Sequence, residues 1–233
     1  GERLLSYANE MVFKNNQIRA HVSTTEGVLR GQLDLGASIT SANLILPYMI
    51  KDLLSKYPQI QYSIDVTSND NLIERLNQAY LLAAIVRGNY HWDQGIVHIC
   101  DEPLYMISSK PINDKMFLKQ PLIYYYGNLL LFSIITDWYK MRFSSLPSNT
   151  INLYDGPASC YRMVEAGLGW TVIPAMHITD NGKLYREVLC DLDGKPYCHP
   201  TRLLYLNTVK HFDVYSAFVS FSKEYFDNYP GIL

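Results

Sequence analysis

Two features that proteins use to hold nucleic acid or membrane are missing from this 233-residue chain. Its 20 Lys and Arg are scattered and balanced by 22 Asp and Glu, giving a formal net charge of −2, so no basic stripe is offered to a phosphate backbone. No apolar run approaches the ~20 residues needed to cross a bilayer. Cysteine is sparse. Cys100, Cys160, Cys190 and Cys198 form no C-x-x-C pair, and no secretory segment opens the chain, which together lead us to expect a soluble, cytoplasmic protein. Cys190, Cys198 and His199 lack the close ligand pairs of zinc sites, so neither metal nor cofactor is expected.

Catalytic signatures are lacking as well. There is no G-x-S-x-G elbow, no H-E-x-x-H and no phosphate-loop lysine. Gly167-Leu168-Gly169 lacks the remaining glycine of a dinucleotide fingerprint and follows a helical pattern instead of a strand. His21, His91, His98, His177, His199 and His211 are dispersed. A nucleophile with its base, a carboxylate pair or a metal centre is what an enzyme needs, and the expectation is that this is not one.

What is present is an alternation of strand and helix periods. The reading gives strand Leu33–Ala37, helix Asn43–Tyr57, strand Ile60–Val66, helix Asn71–Tyr80 with Asn71 and Glu74 as a capping box, and strand Leu82–Val86. Two strands, Gly95–Cys100 and Leu104–Ser108, lead to Lys110-Pro111. A second run follows: strand Leu122–Tyr126, helix Leu129–Phe143, strand Thr150–Tyr154, helix Ala158–Ala166 and strand Trp170–Ile173, with strand Leu203–Asn207 and helix Phe212–Phe226 closing the chain. Arg75-Leu76-x-x-Ala79 recurs 87 residues later as Arg162-Met163-x-x-Ala166, which supports two similar lobes. The fold class expected is α/β, two Rossmann-like βαβ subdomains with parallel sheets and crossover helices. Ahead of them, Gly1 to about Ser23 reads as a helix whose apolar seam, Leu4, Met11 and Ile18, repeats every seven residues and needs a partner helix or the following domain to cover it.

In open α/β sheets ligands collect beyond the carboxyl ends of the strands. Between two such lobes this would be a cleft, lined by Ser38, Thr40, Ser41, Ser68, Asn69 and Arg87 from the first and by Tyr126, Gly127, Asn128, Asp155 and Pro174 from the second. The hydroxyls of Ser38, Thr40 and Ser41 fall where a strand turns into a helix, a position that suits a polar or anionic ligand and equally suits ordinary helix caps. Arg87 enters on electrostatic grounds, because a guanidinium pairs well with carboxylate or sulfate; a solvated surface arginine is the alternative. In Tyr124-Tyr125-Tyr126, strand alternation sends at least one ring into the core, and Tyr126 is placed as a ligand wall. Helix Asn43–Tyr57 is apolar around too much of its girth for one sheet to cover, so Ile45, Tyr48, Met49 and Asp52 are expected, with strand Ile60–Val66, to form a two-fold dimer interface.

Several of these segments resemble the effector-binding region of LysR-type transcriptional regulators. Leu33-Asp34-Leu35-Gly36, the turn Ser38-Ile39-Thr40-Ser41 and Leu46-Pro47 follow that family's opening strand, turn and helix. Pro58 fits its helix end, and Val164-Glu165-Ala166-Gly167-Leu168-Gly169-Trp170-Thr171-Val172-Ile173-Pro174 is similar to its late glycine segment. Leu82 departs from the pattern, standing where the family usually carries aspartate. Gly1-Glu2-Arg3-Leu4-Leu5 resembles the entry to its linker helix. The resemblance implies a fold like that of type 2 periplasmic binding proteins: a partial linker helix over 1–26, subdomain I over 27–108 and 208–233, and subdomain II over 109–207. Ser108–Met116 and Leu203–Thr208 would be the hinge. It implies effector contacts at Ser38, Thr40, Asn69 and Tyr126. It further implies a homodimer or homotetramer of a bacterial regulator that is switched allosterically by a small effector, an anion among the alternatives. Promoter DNA and RNA polymerase would be met through the full-length protein, whose winged helix-turn-helix domain precedes the linker helix. The rival reading is a stand-alone solute-binding protein, which shares the bilobal fold but has no amphipathic helix at its front.

Overall fold

The computed structural model describes residues 11, 28–112, 117–125, 129–154, 156–179 and 182–228. Apart from Met11, the expected linker helix lies outside them. The chain divides into two compact units, Gly1–Cys100 with Pro200–Ile232, and Asp101–His199.

In the first unit, β1 (Gly31–Ser38) is flanked by parallel β2 (Ile60–Thr67) and β3 (Ala83–Arg87), and β9 (Cys198–Tyr205) adds to β3 in antiparallel fashion. Alternation along β1 buries Leu33, Leu35 and Ala37. Gly36 is required by close packing: a Cβ there would stand 2.7 Å from Leu81, 2.8 Å from Leu72 and 2.9 Å from Ala84. The helix expected over Asn43–Tyr57 is two helices, α1 (Ile39–Leu44) and α2 (Leu46–Lys56). The first starts early because Ser38 Oγ accepts from Ser41 N at 3.2 Å and caps it. The second is separate because Pro47, in its first turn, has no N–H to continue the ladder. α3 (Asn69–Asn77) also begins ahead of the expected start. Its cap is Ser68, whose Oγ accepts from Asn71 N at 3.4 Å, so Asn71 is the third helical residue and not the cap. α6 (Asp213–Asn228) packs on the unit through Tyr215, and Lys56 of α2 pairs with Glu224 on it at 3.2 Å.

In the second unit β7 (Trp170–Pro174) runs parallel to β5 (Leu122–Tyr125), and β5 parallel to β6 (Thr150–Leu153). β4 (Gly95–Ser108) is antiparallel to β7 and to β8 (Tyr185–Val188), a short charged strand the sequence pattern does not mark. Period-two alternation sorts the core into two faces. Leu104, Met106, Leu122, Tyr124, Trp170 and Val172 face α4 (Leu129–Phe143), where Trp138 and Tyr139 pack with Phe117. Ile107, Ile123 and Ile173 face α5 (Pro157–Glu165), with Cys160, Tyr161 and Val164.

β4 is one strand where two were expected. Pro103, between the two expected strands, lies outside the Leu104–Ser108 stretch that pairs with β7 and β8, so no bond of those ladders is lost. The chain passes between the units within β4 and within β9. The hinge segments that the resemblance implies, Ser108–Met116 and Leu203–Thr208, begin toward the far ends of these strands, and residues 113–116 of the first lie outside the described residues.

Candidate functional site

Parallel pairing brings the carboxyl ends of β1, β2 and β3 side by side in the first unit. Ser38 ends β1 buried, its hydroxyl within 2.8 Å of Ser41 Oγ, and Ser41 is fully enclosed in the first turn of α1. Thr40, between them, is half-buried. Beyond β2, Ser68 serves as the cap of α3, and the next residue, Asn69, reaches across to β3, its Oδ1 accepting from Arg87 N at 3.0 Å. That bond leaves the Asn69 amide nitrogen as a donor. Arg87 ends β3 and is 4% exposed, so it is not the solvated surface arginine of the alternative reading.

Around these residues the segment after β3 is pinned repeatedly. Gly88 N donates to Pro200 O at 2.8 Å, Tyr90 OH to Asp70 Oδ1 at 3.0 Å, and Trp92 Nε1 to Tyr205 O at 3.3 Å. Burial, helped by the Asp70 hydrogen bond and charge, pushes the Tyr90 hydroxyl up to about 12. The expected residues Ser38, Thr40, Ser41, Ser68, Asn69 and Arg87 are thus brought to neighbouring strand ends, and Tyr90 and Thr201, which the sequence pattern does not mark, lie next to them. Thr201 is enclosed opposite Arg87 in the β3–β9 ladder, and nothing in a lone threonine between Pro200 and Arg202 announces such a place.

In the second unit Pro174 ends β7, buried opposite Leu104. A short 310 turn, Ala175–His177, follows, and Met176 N in it donates to the buried Glu102 Oε2 at 2.8 Å. Glu102 also escaped the sequence reading. Tyr126, Gly127, Asn128 and Asp155 lie outside the described residues. Tyr124 is the ring that packs in the core, edge-on to Phe132 at 5.0 Å.

The expected dimer residues divide. Ile45 and Met49, 1% and 0% exposed, belong to the unit's own core: Met49 lies on the buried stripe of α2 with Leu46 and Leu53, and Ile45 is the capping residue between α1 and α2. They are removed from the interface. Tyr48, 63% exposed, and Asp52 face outward.

Among the described residues no group of three or more His, Cys, Asp and Glu comes together to hold a metal ion, and no helix is long and apolar enough to cross a membrane. The Cys198 thiol is pushed up by burial and by Asp101, against the opposing charge of Lys195, which keeps it protonated and poorly nucleophilic.

An α/β unit with convergent polar groups beyond parallel strands defines a ligand-binding class of fold. A family model described as the LysR substrate binding domain matches residues 26–227, and the chain belongs to that family. Curated relatives include the HTH-type transcriptional regulators YraN and YkuM of Bacillus subtilis strain 168. YraN is 28% identical over 96% of this chain and 77% of its own length, and YkuM 25% over 97% and 78%. Among solved structures, the regulatory domain of Synechocystis PCC6803 CcmR, in complex with 2-PG, aligns with a TM-score of 0.66 at 15% identity over 84% of this chain and 98% of that one. The LysR family regulator CbnR aligns at 0.62 and 14%, over 96% and 78%. The fold is that of LysR regulatory domains, the type 2 periplasmic-binding-protein-like arrangement read from the sequence.

Proposed function

We propose that this domain senses a small molecule for a cytoplasmic LysR-type transcriptional regulator, binding it without transforming it, and that it also carries part of the regulator's dimer contact. The observation that carries the reading is the gathering of Ser38, Thr40, Ser41, Ser68, Asn69 and Arg87 at the carboxyl ends of three parallel strands, in a chain of the LysR substrate-binding family. That the CcmR regulatory domain is complexed with 2-PG supports a small-molecule ligand. The HTH-type regulators among the relatives favour this reading over a free solute-binding protein or an enzyme, with promoter DNA and RNA polymerase engaged through the rest of the regulator.

A ligand held at these residues acts only through a difference in its affinity for two conformations, which is the coupling free energy available for regulation. A thermal-shift screen of amino acids, amines, sugars, neutral aromatics and organic acids tests the proposal, since a ligand present well above its Kd raises the melting temperature by mass action. At least one compound should give a saturable shift. Thr40→Ala should abolish that shift while the ligand-free melting temperature stays within a few degrees. A shift unaltered in Thr40→Ala counts against the site, and a screen in which nothing binds counts against sensing.

A further inference from the structure

Antiparallel pairing sets Thr201 of β9 directly opposite Arg87 of β3. Directly opposed residues project their side chains from the same face of a sheet. Both are buried, Thr201 completely, and the Thr201 hydroxyl oxygen has no hydrogen-bond partner among the described residues. Such a group needs an explanation, because buried hydroxyls are nearly always matched. Strand formation does not supply one: valine has the same branched shape and suits a strand equally well without the hydroxyl. The backbone on either side is fixed, Arg87 N by Asn69 Oδ1 at 3.0 Å and Gly88 N by Pro200 O at 2.8 Å. An unmatched hydroxyl is thus held on a fixed stretch of backbone directly opposite Arg87, at the strand ends proposed above for the effector.

We propose that Thr201 is a contact residue of the effector site, and that with Arg87 it receives an anionic group of the effector, a carboxylate or an inorganic-type oxyanion. This rests on the reading of those strand ends as the effector site. Guanidinium N–H groups match the fork of a carboxylate, and the threonine hydroxyl donates to a remaining lone pair. A carboxamide of the same shape turns N–H donors toward a guanidinium that has no acceptor, so acid and amide are told apart.

The test is calorimetric titration and thermal shift of this chain with matched probes: benzoate against benzamide, succinate against succinamide, and sulfate. At least one anion should bind and its amide should not. Thr201→Val should weaken the anion by about tenfold or more, and Thr201→Ser should keep it. The ligand-free melting temperature of Thr201→Val should equal or exceed that of the wild type, whereas a merely structural threonine would lower it. The inference is overturned by unchanged anion affinity in Thr201→Val, by amides binding as well as acids, or by none of the anions binding. If neutral or cationic compounds from the wider screen bind and are lost in Thr40→Ala, effector sensing stands and the anion assignment alone falls.

Discussion

At the scale of single residues, one hydroxyl ties the last helix to the first strand. Tyr215 OH donates to Asp34 O at 3.1 Å and accepts from Asp34 N at 3.2 Å, so both backbone groups of a residue 181 positions away are satisfied by it. Removing the hydroxyl leaves two polar groups unmatched, and Tyr215→Phe should lower stability by about 1–3 kcal/mol, read as a lower urea midpoint at unchanged slope. Burial, with Asp34's charge adding to it and the backbone bond opposing it, raises the Tyr215 hydroxyl above its ordinary 10.0, and Tyr90 is pushed up to about 12. Each hydroxyl keeps its proton in the folded chain after the unfolded chain has released it. The stabilisation is therefore complete below about pH 10 and is lost as pH rises from there, for Tyr90 through about 12 and for Tyr215 further into the alkaline range. Stability measured across that interval should fall for the wild type, and less steeply for Tyr215→Phe.

At the scale of elements, the echo read at 87 residues holds for the strands Ala83–Arg87 and Trp170–Pro174, whereas the helices ahead of them repeat at 88, so Ala79 matches Gly167 and not Ala166. α3 and α5 end in the same way: Ala79 N donates to Leu76 O and Tyr80 N to Arg75 O, as Gly167 N does to Val164 O and Leu168 N to Met163 O. The strands that follow are spaced one residue differently from the helices, since α3 (Asn69–Asn77) leads to Ala83 and α5 (Pro157–Glu165) to Trp170. Ala79 has φ +57° and Gly167 φ +80°, a left-handed exit that costs a residue with a Cβ about 1–2 kcal/mol. Ala79→Gly should therefore raise stability by about 0.5–1 kcal/mol after the extra freedom of the unfolded glycine is deducted, seen as a melting temperature a few degrees higher. Apolar period located the longer helices of the described residues and most of the strands, but not the short α1, whose residues read as a turn. Two helix starts were misplaced where a side chain reaches nearby backbone, as Ser38 and Ser68 do, because several hydroxyls in a row read equally as turn or cap until one of them is seen accepting the bond.

For the whole molecule, the outward side of α2 and the edge strand β2 leave Tyr48, Leu54, Ile64 and Val66 exposed. An apolar set of this kind beside a strand that ends the sheet among the described residues supports the proposed two-fold contact, with a standard interface burying about 1,600 Å² in all. Sedimentation velocity at tens of micromolar should show the wild type as a dimer and Tyr48→Asp as a monomer with the same melting temperature, Tyr48 being 63% exposed. A wild type that stays monomeric, or a variant that stays dimeric, removes this face from the assembly. Ile45→Ala and Met49→Ala, by contrast, should act on folding, since both side chains lie in the core of the unit.

By itself the sequence determined the α/β class, the order of its elements, the absence of catalytic signatures and the hydroxyl-rich turn after β1, because these follow from local periodicity and from what each side chain can donate or accept. Only the tertiary structure decided that Ile45 and Met49 face inward, that β4 runs unbroken through Pro103, and that Thr201 stands beside Arg87. Those outcomes depend on which strand lies next to which, and residues more than a hundred positions apart carry no mark of that pairing in their own chemistry.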